Sequence, residues 1–104
     1  MTKLTSKQRA HLRGLANRIK PVIHIGSEGI TDALLRSTAE AFNTRELLKV
    51  KAQEAAPVHI RELAQQIAAG MEDVYVVQTI GRTAVLYRQD PDDPEIRLPG
   101  QKAE

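Results

Sequence analysis

The chain has 104 residues, 41% of them apolar and 27% charged, with a formal net charge of +2. That is the size of one domain with one modest core, and the composition is that of an ordinary globular protein. No cysteine is present, which excludes disulfides and thiolate metal sites and fits a reducing, cytoplasmic setting. No apolar run approaches the ~20 residues of a membrane span, and the basic N-terminus lacks a signal-peptide core.

The charge is unevenly placed. Residues 1–51 carry a net +6 and residues 52–104 a net −4, and the first acid in the chain is Glu28. Such asymmetry points to a polyanion-binding half, beside the plainer reading of a solvated helix with an acidic counterweight.

The first predicted element is a helix. Thr5 and Gln8 fit a capping box, and Leu12, Leu15, Ala16 and Ile19 form one apolar stripe. Arg9, Arg13 and Lys20 line one flank of that stripe, and Lys7, His11 and Arg18 the other. Pro21 ends the helix. Val22–Ile25 reads as a short buried strand. Gly26-Ser27-Glu28-Gly29 follows, a GxxG loop ahead of a second helix that Thr31 caps. Glycines there let a phosphate backbone approach, while a tight strand-to-helix turn is the plainer and slightly favoured reading of the pair taken alone.

Leu34, Leu35, Thr38, Ala39 and Phe42 give the second helix its buried side. Residues 47–51 form a strand with Leu48 and Val50 on one face and Lys49 and Lys51 on the other. Pro57 suits the first turn of a third helix, with Ile60, Leu63, Ala64 and Ile67 as its core stripe and Gly70 as its cap. Residues 73–80 and 83–88 are strands joined by Gly81-Arg82, a pair that suits a type II′ hairpin. The acidic, proline-rich segment from Gln89 predicts a loosely ordered tail. The order α-β-α-β-α-β-β predicts an α/β fold, simplest as a two-layer α+β sandwich with a four-stranded mixed sheet.

Catalytic and metal chemistry find little support. His11, His24 and His59 lie on three elements without ligand spacing, and nucleophile-elbow and Walker motifs are absent. The carboxylates of Asp90, Asp92, Asp93 and Glu95 cluster in the tail, which predicts a solvating role. No cofactor or small-molecule substrate is expected. Phe42, Tyr75 and Tyr87 are too few and too scattered for a base-stacking sheet of the RRM type, so the two tyrosines read as packing residues.

LTSKQRAHLRGLA at 4–16, PVIHIGSEGIT at 21–31, ELLKVK at 46–51 and IGRTAVLYR at 80–88 resemble, in order and spacing, the YhbY-type CRM domain (chloroplast RNA splicing and ribosome maturation). The likeness runs from Leu4 to about Pro99. It implies a fold similar to the C-terminal domain of translation initiation factor three, and RNA binding without catalysis. Stand-alone bacterial members are associated with assembly of the large ribosomal subunit, whereas plant relatives with several such domains act in group II intron splicing.

Carried onto this chain, the resemblance puts the RNA-facing loop at Gly26, Ser27, Glu28 and Gly29. It puts the basic helix at Lys7, Arg9, Arg13, Arg18 and Lys20. The turn at Gly81-Arg82 matches a block in which glycine followed by a basic residue is usual. Family loops often carry a lysine just after the first glycine; here Ser27 and Glu28 stand there, which shifts the electrostatic share to the first helix. Lys49, Lys51, Arg82 and Arg88 extend the surface if they share its face. The expected whole is a single RNA-binding domain over residues 1–99 with a flexible tail at 100–104. The expected form is a monomer whose partner is rRNA of the precursor large subunit, with no membrane partner. A ribosome-associated protein-interaction module and a small basic DNA-binding domain are the rival readings.

Overall fold

A computed structural model describes residues 4–99; the expected flexible tail at 100–104 lies outside the described residues. The elements are α1 (Ser6–Ala16), β1 (Ile23–Ile25), α2 (Asp32–Phe42), β2 (Leu47–Ala52), α3 (Ile60–Ala69), β3 (Tyr75–Ile80) and β4 (Thr83–Tyr87). The strands form one sheet in the order β1-β2-β4-β3. β1 runs parallel to β2, while β4 is antiparallel to both β2 and β3. The element order and the mixed sheet are those expected.

Each helix starts where a side chain satisfies its free amides. Thr5 Oγ1 accepts from Gln8 N (3.1 Å), and Gln8 Oε1 accepts from Thr5 N (2.9 Å), closing the expected capping box. Thr31 Oγ1 accepts from Leu34 N at 3.1 Å. The third helix differs from expectation. It begins after Pro57, and its cap is His59, whose Nδ1 accepts from Arg61 N at 3.1 Å. In the hairpin turn Gly81 has φ 58° while Arg82 keeps a negative φ, as a type II′ turn requires.

The sheet separates two apolar clusters. α2 and α3 cover one face, where Ile25, Leu48, Val50, Leu63, Ile67 and Leu86 are buried together. The expected two-layer sandwich describes this half. α1 adds a layer on the opposite face, where Leu12 and Ala16 pack with Leu47, Val77, Val85 and Tyr87.

α1 also departs from its predicted outline. It ends at Ala16, and the chain reaches Ile19 through successive i→i+3 hydrogen bonds from the amides of residues 17, 18 and 19. Its buried stripe is Gln8, Leu12 and Ala16. Leu15 is 41% exposed rather than in the core. The reason is Arg9, whose Nη1 donates to the carbonyls of Val76 (2.8 Å) and Val77 (3.3 Å). That contact turns the Arg9 flank down onto β3 and lifts the Leu15 flank into solvent.

The segment after β4 is the larger correction. Residues 88–99 are not a loose tail but a strap held to the sheet. Glu46, 4% exposed just before β2, accepts from Asp90 N (2.7 Å), Glu95 N (2.8 Å) and Ile96 N (2.7 Å). Leu98 is buried beside Leu4 and Leu12, and Gln8 Nε2 donates to the carbonyl of Pro99 at 3.2 Å. Three backbone amides thus meet the acceptor oxygens of this buried carboxylate.

Glu46→Ala should therefore free three partly buried amides and lower stability by about 1–3 kcal/mol. Urea unfolding measures this, and exchange at Asp90, Glu95 and Ile96 should quicken; an unchanged midpoint would show that the strap is not moored there. Tyr87 supplies a second readout. Burial first, then the nearby Glu46 and Tyr75, push its phenol up to about 12. The unfolded phenol ionises near 10 while the native one keeps its proton, so stability is full below pH 10 and falls between pH 10 and 12. The slope should be about 1.4 kcal/mol per pH unit, and it should vanish in Tyr87→Phe.

Candidate nucleic-acid interface

The strand directions decide which basic residues meet. β1 and β2 both end at the same edge of the sheet, where the hairpin turn also lies: the amide of Ala52 donates to the carbonyl of Arg82 at 2.8 Å. The GxxG loop leaves β1 there, so it, Lys51 and Arg82 share one pole of the molecule. α1 runs toward the same pole, because Asn17 and Pro21 border a groove with Lys49 and Lys51. Arg18 and Lys20, on the short link between Asn17 and Pro21, are exposed beside it, and Arg13 is exposed one turn back.

Other expected members fall elsewhere. Arg88 lies at the opposite end of β4, half-buried, with its amide on the carbonyl of Glu46. The length of β4 puts it ~17 Å from the hairpin. Lys7 is exposed in the first turn of α1, at the strap end. Arg9 is half-buried and directs its guanidinium to the β3 carbonyls. These contacts make Arg9 a fastening between helix and sheet; sequence reasoning misses this because its partners stand 67 and 68 residues away.

The loop itself is a tight turn in which the amide of Gly29 donates to the carbonyl of Gly26 at 3.1 Å. Ser27 and Glu28 are exposed at its tip. The two glycines are not equivalent. Gly29 is buried with φ 67°, and a Cβ there would come 3.0 Å from Pro57 Cγ. Turn geometry alone accounts for it. Gly26 has an ordinary backbone, and a Cβ there would meet only Gln53 Oε1, at 3.4 Å, the far end of an exposed side chain. The fold does not demand glycine at position 26. A backbone that a ligand must approach closely would demand it. Two amides near the loop are already engaged and so closed to an anion, Gly29 N in the turn and Leu34 N on Thr31, which leaves the 27–28 tip as the loop's point of approach.

The histidines do not converge. His11 is exposed on α1, His24 is exposed on β1, and His59 caps α3. Among the described residues no three His, Asp or Glu side chains gather as a metal site would require, and no helix is long and apolar enough to cross a membrane.

Residues 4–88 match the family model described as the CRS1 / YhbY (CRM) domain. The "Probable RNA-binding protein YqeI" of Bacillus subtilis is 34% identical over 96 residues, a span of 92% of this chain and 99% of that protein. An "RNA-binding protein" of Haemophilus influenzae is 36% identical over 103 residues, covering 95% and 98% of the two chains. The solution structure of the protein SAV1595 from Staphylococcus aureus superposes with a TM-score of 0.78 at 34% identity, covering 93% of this chain and 100% of that one.

The glycine asymmetry is open to direct measurement. Gly29→Ala should cost about 1–3 kcal/mol in urea unfolding, from the left-handed backbone and the Pro57 contact. Gly26→Ala should shift stability by no more than ~0.5 kcal/mol. Equal costs at the two positions would show that both glycines serve the turn alone.

Proposed function

This chain belongs to the CRS1 / YhbY (CRM) domain family, and we propose that it binds RNA through the pole where the GxxG loop, the hairpin turn and the end of α1 meet. The observation that carries the reading is the gathering of Arg13, Arg18, Lys20, Lys49, Lys51 and Arg82 toward that pole, from three separate stretches of chain. Relatives across nearly its whole length that are named as RNA-binding proteins support it.

The division of labour follows from the geometry. The cations neutralise phosphates and release counterions, giving a sequence-independent, salt-dependent affinity. The Gly26 backbone, with Ser27 beside it, allows close approach to a sugar-phosphate strand, where the Ser27 hydroxyl can meet a phosphate or a 2′-hydroxyl. Glu28 repels phosphate and is suited to accept from a 2′-hydroxyl or a base amine. No step of bond making or breaking is assigned to any of these groups.

The finer reading is that the RNA is rRNA of the precursor large ribosomal subunit, with the protein acting as an assembly factor in the cytoplasm. It rests on the resemblance to stand-alone bacterial members of the family. Sedimentation of cell extract tests it. The protein should travel at or just below the free large subunit and be released by moderate salt or ribonuclease. A protein that stays at the top of the gradient at both low and moderate salt would count against the ribosomal assignment.

Replacing Arg13, Arg18 and Lys20 together by Ala should weaken binding to a paired RNA and reduce the slope of log K against log salt by about 0.9 for each phosphate no longer neutralised. Arg88→Ala should leave that slope unchanged. Anisotropy titrations over a salt series read both, and a slope unaltered by the triple change would move the interface away from α1.

A further inference from the structure

α1 covers only the strap-side part of its face of the sheet. Beyond its C-terminus the sheet surface opens to solvent past Val85, itself buried at the edge of the α1 cluster, and the cross-strand register fixes what lies there. One row holds Lys49, Val85 and Gln78, and the next holds Lys51, Thr83 and Ile80. With Asn17 and Pro21 at its side, these two rows line a groove of about 300 Å³. Ile80 is 64% exposed, the most exposed large apolar side chain among the described residues.

A β-bulge produces this arrangement. β3 pairs Val76 with Leu86 and then Gln78 with Val85, so Val77 is an extra residue. The extra residue turns Gln78 and Ile80 onto the α1 face. Without it they would point toward α2 and α3. The Arg9 guanidinium sits on the two carbonyls of this bulge, Val76 and Val77. Bulges that re-aim side chains recur beside functional sites. Here one holds an isoleucine in solvent next to two lysines, at a cost in exposed apolar surface that folding alone does not explain.

We propose that this groove receives a single unpaired nucleotide of the bound RNA, a deepening that rests on the RNA-binding reading above. Lys49 and Lys51 project from the same face of β2 at ~6.6 Å spacing, of the order of the distance between successive phosphates along one strand. Among the described residues no carboxylate lines the groove, so a phosphate strand meets only positive charge there. Ile80 and Pro21 offer apolar contact to the faces of a base, and the amides of Gln78 and Asn17 can each donate and accept at its edge. A base within a continuous helix keeps its faces stacked and cannot use this combination; a bulged or looped-out base can. The groove therefore selects RNA in which a paired stretch, held by the cationic pole, is interrupted by an extruded base. Arg9 is a positioning residue for this site.

Three hairpin RNAs test the assignment: one fully paired, one with a single bulged uridine, and one with an abasic bulge at the same place. The wild-type chain should prefer the bulged uridine over both others by about tenfold in Kd. Ile80→Ser and Gln78→Ala should each cut the affinity for the bulged uridine toward that of the paired hairpin, whose own affinity should not change. Ile80 is exposed, so Ile80→Ser is expected to keep the wild-type melting temperature. Equal affinity of the wild type for all three RNAs, or an equal loss on all three in the variants, would overturn the nucleotide site while leaving the cationic interface standing. No binding to any of the three at low salt would overturn the RNA-binding reading and this site with it.

Discussion

β2 is an interior strand, paired with β1 on one side and β4 on the other, and its side chains alternate between two different environments. Leu48, Val50 and Ala52 enter the cluster under α2 and α3, while Leu47, Lys49 and Lys51 turn to the other face. A shift of one residue in its pairing would bury both lysines and expose Leu48 and Val50, so the register is strongly fixed. The rest of the architecture follows from this constraint. A strand with one wholly apolar face needs a helical layer there. A strand whose other face is apolar only at its start needs a cover only at its start, and α1 with the strap supplies it. What remains uncovered is where the lysines are.

The resulting molecule has two poles of opposite character. The end of β2, the hairpin turn and the link after α1 bring cations to one end, beside the loop. Asp90, Asp92, Asp93 and Glu95 belong to the strap at the other end, where Glu46 accepts from the amides of Asp90 and Glu95, and Asp90 from those of Asp92 and Asp93. The acidic residues thus do not fold over the basic surface and compete with a ligand for it. They give the domain a polarity along its length that favours arrival of a polyanion with the loop leading. A small net charge conceals this, because the two ends nearly cancel in the sum.

Local signals in the sequence are legible where they concern neighbouring residues. The capping box of α1, the apolar stripe of α3, the alternation of β2 and the glycine of the hairpin each involve residues within a few positions of one another, and each stands in the structure as read. The departures share a different cause. Arg9 reads as a surface cation because the carbonyls that hold it lie 67 and 68 positions away. The strap reads as loose because its composition is that of a solvated chain, and its mooring is a carboxylate 44 to 50 positions back. Charge groups Arg88 with Lys49 and Lys51, and only the strand directions show that it belongs to the opposite end. The bulge at Val77 leaves no local mark at all, yet it decides which face Ile80 occupies.

Leu4 and Leu98 share one apolar cluster, and Gln8 ties the start of α1 to the carbonyl of Pro99. Leu4 and Pro99 thus lie at the same end of the domain, with the strap and away from the cationic pole. This is the geometry of a cartridge. Such a domain can be spliced into a host protein by two adjacent joints, or strung in series with copies of itself, without any joint crossing the surface that meets the ligand.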